Sequence, residues 1–587
     1  MNQKNKNQEQ GERLDIIRHS TSHIMAAAIR RIFPEAKFAI GPTIENGFYY
    51  DFDLDKESIS ESDLKKIENL MEEIIRQKSD FKKSSLNIKE ALELMKNQPY
   101  KQELIEELGK NGETEVSFYQ VGDFADLCRG PHVDSTKELG HFKLLSVAGA
   151  YWRGNVKNKM LTRIYGTAFA SQKELGEYLK LKAEAEAGNH IKIGKELDLY
   201  TINEVVGKGL PLLTPKGATI KRILRRFTED EEIKRGYEFT DTPIMARSEL
   251  YKISGHLDHY RESMFVFKTE EDEMVLRPMT CPHQFMVYKR KAWSYRELPV
   301  RYAETATLFR NELSGELHGL VRIRQFTLAD AHIICRPDQL EQEFEGVLNL
   351  IKYLLDCLNI KNYWYRFSKW DPQNKEKYID NPKAWEDSQT ALKKILDKNK
   401  IEYVEAENEA AFYGPKLDVQ LKNVFGKEDT FFTIQIDFAL PERFDMYYID
   451  QSGRKVRPMV IHRASIGCYE RTMALLIEQY AGEFPLWLAP VQVKILPISE
   501  KFNAYAQKVA DELRGQEIRA EIDLADDTLG KKIRNTEHEK IPYMLILGDK
   551  EQTAKKVAVR KRKEGDLGQM ELKSLVERLK KEITEKK

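Results

Sequence analysis

The chain has 587 residues, of which 41% are hydrophobic and 32% are charged. This length exceeds what one hydrophobic core supports, so we expect three or four domains. Lysine plus arginine and aspartate plus glutamate number 94 each. Net charge therefore identifies no partner, and any nucleic-acid-binding surface must be local.

The five cysteines are scattered, which excludes a disulfide framework and is typical of a reducing cytosol. No apolar run approaches the roughly 18 residues that a bilayer-spanning helix needs. The polar start, MNQKNKNQEQGER, lacks the apolar core of a signal peptide. We therefore expect a cytoplasmic protein with no membrane segment, in which residues 1–13 form a disordered tail.

Two pairs of candidate ligands lie in the first part of the chain. The predicted helix LDIIRHSTSHIMAAAIRRIF places His19 and His23 four residues apart, hence on one face. Cys128 and His132 are also four apart, but the Gly-Pro pair between them predicts a turn. Three imidazoles and one thiolate form a plausible tetrahedral zinc set. The spacing alone leaves a zinc site and an amphipathic helix with an unrelated buried cysteine equally open.

A charged segment, SQKELGEYLKLKAEAEAG, occupies residues 171–188. Its composition predicts a rigid helical connector. The chain is therefore expected to divide into a region at 14–170, a linker at 171–200 and the remainder.

Residues 305–334 read TATLFRNELSGELHGLVRIRQFTLADAHII, with period-two alternation on both sides of a glycine-containing turn. This pattern predicts an antiparallel hairpin. Alternation places Arg310 and Glu312 on one face of the first arm. If no bulge intervenes, the second arm presents on one face Arg322, Arg324, Phe326, Leu328, Asp330 and His332. A polyanion would satisfy the arginines, but the hairpin alone favours a solvated charged face at a sheet edge.

Three motifs carry a resemblance to a known family. The FRNE stretch, a loop and a strand with Arg and Phe resemble motif 2 of class II aminoacyl-tRNA synthetases, and the Ala-His pair at 331–332 is similar to the threonyl-tRNA synthetase version. Upstream, YEFTDTPIM, with Pro243 in a strand after a basic helix, resembles motif 1. Downstream, HRASIGCYERTMALLIE, with Gly467 and Arg471, resembles motif 3. Because all three occur in order, the chain is identified as similar to the threonyl-tRNA synthetase family from Leu14 onward.

The resemblance implies a multi-domain α/β and α+β fold. Residues 14–170 would form an α+β editing domain of the threonyl/alanyl type, and residues 201–490 a class II catalytic domain with an antiparallel sheet. Residues 491–587 would form an α/β anticodon-binding domain, and motif 1 implies a homodimer. Bacterial members commonly begin with a small ubiquitin-like domain, where this sequence has only its polar tail.

Three ligand candidates in the catalytic region are far apart in sequence. Cys281, His332 and His462 match the cysteine and two histidines that hold zinc in the family, although each cysteine taken singly is usually a small buried hydrophobe. A zinc ion with three protein ligands keeps positions free for substrate. By taking both the amino group and the hydroxyl of threonine, such a metal would reject valine.

The other catalytic-domain roles also follow from the resemblance. Binding of ATP, with its magnesium, is implied for Arg310, Glu312, Arg322, Phe326, Gln435 and Arg471. Binding of threonine is implied for Asp330, Tyr413 and Gln435. Catalysis by positioning and charge neutralisation is implied for Arg310, Lys416 and Arg471. Leu328 replaces the glutamine usual in the family, which puts one contact near the substrate carboxylate in doubt.

The same resemblance assigns the first domain to editing, that is, to hydrolysis of mischarged seryl-tRNA. Its pocket residues would be His19, His23, Asp126, Cys128 and His132. Threonyl members are held to need no metal there, whereas alanyl relatives bind zinc with a similar set. We favour the metal-free pocket, and the sequence leaves the choice open.

The last region alternates strand-like runs with helices, which predicts a mixed sheet covered by helices. Its segment KKVAVRKRK, residues 555–563, carries six basic residues in nine. By itself this segment is equally typical of an edge strand protected by lysines. The resemblance favours RNA recognition through unstacked bases, with Glu551 and Arg560 at anticodon-reading positions.

The expected reaction joins threonine to threonine tRNA at the expense of ATP, giving threonyl-tRNA, AMP and pyrophosphate. One alternative is a sister class II specificity, such as prolyl or seryl, which the zinc trio argues against. The other is a synthetase-like RNA-binding regulator without adenylation activity, which only Leu328 favours.

Overall fold

The computed structural model describes residues 2–155 and 157–586, and the side chains of residues 2–10 lie outside what it describes. The chain divides into two compact units, Met1–Ala183 and Glu184–Lys587. Each unit combines helices with sheets, as the expected α/β and α+β class requires. Among the described residues, no helix combines the length and apolar character that a bilayer crossing needs.

The first unit is an α+β domain. Its helices are α1 (Asn2–Ile32), α2 (Leu64–Arg76), α3 (Ile88–Leu94) and α4 (Pro99–Lys110). Its strands are β1 (Lys37–Phe38), β2 (Thr43–Ile44), β3 (Gly47–Asp53), β4 (Phe81–Asn87), β5 (Glu115–Val121), β6 (Phe124–Leu127), β7 (Phe142–Tyr151) and β8 (Met160–Ala168). One sheet has the order β1-β3-β8-β7 with β2 on β3, and a second has the order β4-β5-β6.

Helix α1 supplies much of the core of this unit. Its segment at residues 24–29 is at most 2% exposed at every position, because the small side chains of its alanines let the helix approach the sheet closely. The helix begins at Asn2, so the expectation of a disordered tail at residues 1–13 differs from the structure over residues 2–13. Gln, Lys and Glu are good helix formers, which explains how this polar stretch extends a buried helix.

The predicted connector is helix α5 (Gln172–Gly188). The helices that follow it in the catalytic region are α6 (His190–Glu196), α7 (Pro215–Lys234), α8 (Ser248–Ser254), α9 (His256–Tyr260), α10 (Cys281–Tyr288), α11 (Leu340–Cys357), α12 (Pro382–Lys398), α13 (Leu440–Arg443) and α14 (Tyr469–Gln479).

The short strands of this region form small sheets or flank the main one; they are β9 (Tyr200–Thr201), β10 (Leu212–Leu213), β11 (Glu238–Phe239), β12 (Met245–Arg247), β13 (Phe265–Lys268), β14 (Glu273–Leu276), β15 (Trp293–Ser294), β22 (Tyr448–Ile449) and β23 (Lys455–Val456). The other strands are β16 (Val300–Phe309), β17 (Gln325–Cys335), β18 (Tyr363–Ser368), β19 (Tyr403–Ala406), β20 (Lys416–Lys422), β21 (Glu428–Asp437) and β24 (Met459–Cys468). The main sheet has eight strands in the order β11-β16-β17-β24-β21-β20-β18-β19, and most of its neighbours are antiparallel.

The three sequence motifs meet in this sheet. Motif 2 supplies β16 and β17, and motif 3 supplies β24 followed directly by α14. Motif 1 supplies the two-residue strand β11 and the first residue of β12, and Pro243 lies in neither strand, so the expectation of Pro243 within a strand is wrong. Proline has no N–H to give to a sheet, and Pro243 follows the strand in a loop.

The last region has the strands β25 (Val493–Pro497), β26 (Ala520–Ile522), β27 (Tyr543–Leu547), β28 (Lys556–Lys561) and β29 (Gly565–Glu571), with the helices α15 (Asn503–Gly515), α16 (Leu529–His538), α17 (Asp549–Ala554) and α18 (Leu572–Thr584). The sheet order is β26-β25-β27-β28-β29. The basic strand β28 is therefore interior, and its interpretation as an edge strand is wrong because β29 covers it.

Candidate functional site

One row of side chains crosses the main sheet from strand to strand. His332 on β17 lies opposite His462 on β24, which lies opposite Gln435 on β21, which in turn lies opposite Lys416 on β20. Directly opposed residues of antiparallel neighbours project from the same face, with Cβ atoms about 4.5–5.5 Å apart. The sheet thereby gathers four predicted site residues from segments separated by up to 130 positions in the sequence.

The three predicted metal ligands meet at one end of this row. Cys281, at the first position of α10, is buried together with His332 and His462. Their ligand atoms all lie within 4.8 Å of one another, and the two imidazole rings are perpendicular with centroids 4.5 Å apart. A thiol and two imidazoles at this spacing can converge on a single cation.

The partners of the two imidazoles test whether the set fits a metal. His332 Nδ1 lies 2.5 Å from Gln284 Oε1, and His462 Nε2 lies 2.9 Å from Asp437 Oδ2. Since each of these oxygens accepts a ring hydrogen, the other nitrogen of each ring keeps its lone pair free. Metal-binding histidines are normally supported in this way, so the residues fit a zinc ion.

The Cys281 thiol is kept in its neutral form by its surroundings. Burial raises its pKa well above the usual cysteine value, and the charges of Asp330 and Asp437 raise it further. A cation beside the sulfur would reverse this effect, because a metal favours the thiolate form.

The predicted threonine-binding residues surround the metal set. An Asp330 carboxylate oxygen lies 4.0 Å from His332 Nε2, and burial raises the pKa of Asp330 to about 6. The Tyr413 ring stacks on His462 at 4.9 Å, and its hydroxyl donates to the Gln435 side chain. A small ligand held by the trio would therefore meet a carboxyl group, a phenol and an amide.

Two predicted ATP-binding arginines lie together near the motif 2 aromatic ring. The Arg310 guanidinium carbon is 5.1 Å from the centre of the Phe326 ring. Desolvation lowers the pKa of Arg310, and the charge of Arg471 lowers it further. The Arg310 side chain is exposed to solvent, so an anion could reach the two cations and neutralise them.

The predicted antiparallel hairpin is confirmed as β16 and β17, but the segment that joins these strands is longer than expected. Residues 310–324 form a long loop, so Arg322 and Arg324 do not share a strand face with Phe326. In this loop Arg322 pairs with Glu312 at 2.8 Å and with Glu316 at 2.8 Å. Glu312 and Arg322, both expected to bind ATP, are therefore ion-paired to each other.

The motif 2 loop is held by a histidine that sequence reasoning missed. His190 is fully buried, its Nδ1 lies 2.7 Å from a Glu478 carboxylate oxygen on α14, and its Nε2 accepts the Leu320 N–H at 3.2 Å. Gly319 has φ +48°, and a Cβ there would lie 2.1 Å from His190 Nε2. The next residue of the loop after Leu320 is also held, because the Val321 carbonyl accepts from the Arg471 guanidinium at 3.2 Å.

Two other predicted positions have partners that bear on their roles. Lys416 Nζ lies 2.9 Å from the fully buried Asp418 carboxylate. Leu328 packs against the apolar cluster that contains Phe326 and lies opposite Cys468 on β24. It brings no hydrogen-bonding group to the position where the family usually has glutamine.

The predicted editing residues form one cluster within the first unit. The ligand atoms of His19, His23, Cys128 and His132 all lie within 4.8 Å of one another. The Cys128 sulfur is 3.3 Å from His19 Nε2 and 3.3 Å from His132 Nε2. Helix α1 supplies the first two histidines from one face, and the turn after β6 supplies the other two residues, as the spacing predicts.

Asp126 joins this cluster through His23, whose Nε2 lies 4.0 Å away. The carboxylate also accepts from Tyr50 at 2.5 Å and pairs with Lys101 at 2.6 Å. Lys101, like Asp126, is almost completely buried, so the ion pair depends on the interior of the domain. Sequence reasoning missed Tyr50 and Lys101, which are far from the cluster in sequence.

Burial keeps the cluster uncharged near neutral pH. Desolvation lowers the pKa of His19 and of His23, and it lowers the pKa of His132 to about 2. Desolvation raises the pKa of the Cys128 thiol to about 11. The His23 Nδ1 atom is buried and has no hydrogen-bond partner among the described atoms. Neutral imidazoles with free lone pairs can accept a hydrogen bond from water or bind a cation.

The predicted anticodon residues lie in the C-terminal region. Glu551, on α17, accepts from Gly548 N at 3.0 Å and from the Gln569 amide at 2.5 Å. Arg560, on β28, has no ion pair or hydrogen bond from its side chain to any described residue. Its neighbours Arg562 and Lys563 instead bind the segment at Glu483. Among these basic residues, Arg560 therefore keeps its charge free for an external partner.

Comparisons with known proteins agree with this arrangement. The family described as "tRNA synthetase class II core domain (G, H, P, S and T)" matches residues 265–480, and "Anticodon binding domain" matches residues 492–582. The family "Threonyl and Alanyl tRNA synthetase second additional domain" matches residues 116–165, which include Asp126, Cys128 and His132.

Relatives resemble the chain over nearly its whole length. A threonine–tRNA ligase of Clostridium botulinum (strain Eklund 17B / Type B) is 58% identical over 576 residues, which cover 97% of this chain and 89% of the relative. A threonine–tRNA ligase of Geobacillus sp. (strain WCH70) is 48% identical over 580 residues, which cover 98% of this chain and 90% of that relative.

Solved structures give the same result. The RNA binding domain of threonyl-tRNA synthetase from Cryptosporidium parvum Iowa II matches with a TM-score of 0.64 and 34% identity, over 67% of this chain and 98% of that one. A putative threonyl-tRNA synthetase from Aeropyrum pernix matches with a TM-score of 0.60 and 28% identity, over 68% of this chain and 97% of that one. With its class II core, its editing-type domain and these relatives, the chain belongs to the threonine–tRNA ligase family.

Proposed function

We propose that this chain activates threonine with ATP, transfers it to threonine tRNA and hydrolyses mischarged seryl-tRNA. The observation that carries the first step is the convergence of Cys281, His332 and His462 beside Asp330. This donor set suits one zinc ion per chain, and it adjoins the proposed threonine pocket.

Threonine selection depends on the residues around the trio. A zinc ion held there would offer open positions to the amino group and hydroxyl of threonine. Asp330 would accept a hydrogen bond from the hydroxyl, and Tyr413 with Gln435 would fix the amino acid from the other side. Valine has no hydroxyl to offer, so a site built to bind one would discriminate strongly against it.

The adenylation step depends on positioning and charge. The threonine carboxylate would attack the α-phosphorus of ATP and displace pyrophosphate to give threonyl-adenylate, so two anions must approach each other. Arg310 and Arg471 would neutralise these charges, Phe326 would stack on adenine, and magnesium would accompany the phosphates. The Glu312–Arg322 pair would have to open so that Glu312 binds the adenine amino group and Arg322 binds phosphate.

Editing and tRNA binding are assigned to the other domains. Serine differs from threonine by one methyl group, a difference worth only about 1–3 kcal/mol, so a second site is needed. The neutral imidazoles of the His19, His23 and His132 cluster could accept hydrogen bonds from a water molecule and orient it against the seryl ester, whose hydrolysis releases serine and tRNA. We favour hydrolysis without a metal there, although the four donors could hold one. Glu551 and Arg560 would contact the anticodon, and the active form would be a cytoplasmic homodimer built through motif 1.

ATP–pyrophosphate exchange with threonine, serine, valine and proline tests this proposal. We expect exchange with threonine, weaker exchange with serine and none above background with valine or proline. Preferred exchange with proline would support a sister specificity. Absence of exchange with every amino acid, by a folded protein that binds tRNA, would support the RNA-binding regulator instead.

A further inference from the structure

A buried glutamine joins the proposed metal site to the motif 1 segment. Gln284, on α10, is completely buried, and its Oε1 atom lies 2.5 Å from His332 Nδ1. Its amide nitrogen donates to Thr240 Oγ1 at 2.7 Å. Both ends of this side chain are therefore occupied, one by a proposed zinc ligand and the other by a threonine of motif 1.

The chain of hydrogen bonds continues to a buried ion pair. Thr240 Oγ1 donates to Glu304 at 3.0 Å, and Glu304 lies 2.8 Å from Arg277 Nη1. Thr242 Oγ1 donates to the same carboxylate at 2.9 Å. Glu304 and Arg277 are 4% and 3% exposed, so their positions are fixed by burial and mutual attraction.

The ion pair sets the direction of every bond in the chain. A carboxylate paired with arginine can only accept, so Thr240 must donate its hydroxyl hydrogen to Glu304. The Thr240 oxygen then accepts from the Gln284 amide N–H, which turns the amide oxygen toward His332. His332 must in turn carry its hydrogen on Nδ1, and this leaves Nε2 with a free lone pair.

We infer that Gln284 is a positioning residue that fixes the tautomer of His332 for metal binding and links the metal site to motif 1. This inference rests on the proposed zinc site. Outer partners of metal-binding histidines typically change metal affinity by roughly 10- to 100-fold when removed. Gln284 acts through His332 and does not itself touch the substrate.

The same domain offers a matched control. Gln420 is 1% exposed, and its amide nitrogen donates to Thr430 Oγ1 at 2.7 Å. It thus repeats the burial and the threonine contact of Gln284, but no described hydrogen bond joins it to a histidine. Replacing either glutamine by methionine removes a buried amide group and leaves a side chain of similar size.

The test measures the zinc affinity of the full chain by competition with a chromogenic chelator. We expect Gln284→Met to weaken zinc binding roughly 10- to 100-fold and to raise the KM for threonine in exchange, while the KM for ATP stays near wild type. Gln420→Met should leave zinc affinity unchanged at a similar loss of thermal stability. Thr240→Val, which keeps the Gln284–His332 contact but removes the acceptor beyond it, should weaken zinc binding less than Gln284→Met.

If the wild type binds zinc tightly and the two variants Gln284→Met and Gln420→Met bind it with equal affinity, the role of Gln284 is overturned and the proposed metal site is not. If Gln284→Met does not fold, wild-type zinc affinity in Thr240→Val would overturn the inference. A folded wild-type chain that takes up no zinc would overturn the proposed metal site together with it.

Discussion

His332 and His462 lie opposite each other on β17 and β24, with their rings perpendicular and 4.5 Å apart. This pairing sets the geometry of the proposed metal site, because one ring comes from motif 2 and the other from motif 3. The site therefore exists only when the two strands are paired in this register.

The first prediction concerns the third ligand. Cys281→Ser should lower both the zinc content and threonine-dependent exchange, because a serine hydroxyl is a poorer zinc ligand than a thiolate. Cys357→Ser, at a cysteine outside the trio, is the control and should behave as wild type. Metal analysis alongside exchange checks this, and full threonine-dependent exchange by a demonstrably zinc-free protein would refute the metal's role.

The second prediction concerns editing. The double variant His19→Ala/His23→Ala should charge threonine normally but accumulate seryl-tRNA, because the first unit loses two imidazoles of its cluster. His141→Ala, in the same unit but outside the cluster, is the matched control. The measurement is the rate of seryl-tRNA deacylation with an unchanged melting profile, and wild-type clearance by the folded double variant would contradict the assignment.

The third prediction concerns the basic strand. Arg560→Ala should raise the apparent KM for tRNA in charging and leave ATP–pyrophosphate exchange near wild type. Lys563→Ala removes a neighbouring charge that already pairs with Glu483, so it should affect the KM for tRNA less. An equal fall of exchange and charging in Arg560→Ala would show that this region does not act through tRNA.

The fourth prediction concerns the buried anchor of the motif 2 loop. His190→Ala leaves the buried Leu320 N–H without its acceptor, a loss worth about 1–3 kcal/mol, and removes the imidazole contact of the Glu478 carboxylate. The loop that carries Arg322 should loosen, so the KM for ATP in exchange should rise. His538→Ala, at an exposed histidine of α16, is the control, and a KM for ATP unchanged by His190→Ala would rule out the anchoring role.

The fifth prediction concerns pH and the first unit. The unfolded chain protonates its histidines below a pKa near 6.5, whereas burial holds the pKa of His132 at about 2 in the folded unit. Between these values the unfolded state binds more protons, so folding stability falls as the pH decreases below about 6.5. The slope is up to about 1.4 kcal/mol per pH unit for each such group.

Amide hydrogen exchange in α1, corrected for its intrinsic pH dependence, measures this effect at pH 7.5 and 5.5. Protection should fall at the lower pH, and His132→Gln should show a smaller fall because one titrating group is gone. Equal falls in the two proteins would mean that His132 does not contribute.

The sequence predicted individual helices and strands better than it predicted which elements lie beside one another. Helical spacing correctly placed His19 and His23 on one face, and strand alternation correctly placed Asp330 and His332 on one face. The same alternation misled at residues 310–324, because a loop held by side-chain and backbone contacts can repeat apolar and basic residues as a strand does.

Strand order and supporting contacts could not be derived from the sequence. The position of β28 inside its sheet depends on β29, whose segment GDLGQME has little strand character. Gln284 and Asp437 had usable signals, since one lies a helical turn after Cys281 and the other two positions after Gln435. These positions predict a supporting role only after Cys281, His332 and His462 have been identified as a ligand set.

The row His332, His462, Gln435 and Lys416 makes the site unequally sensitive to different kinds of mutation. Exchanging one side chain alters the contacts of that residue alone and leaves the other three residues of the row in place. Inserting or deleting one residue within β24 would instead turn its alternate side chains to the opposite face. This would remove His462 from the trio and from its contacts with both neighbouring strands at once. Insertions and deletions within β24 should therefore be far more damaging to the site than single substitutions in the same strand.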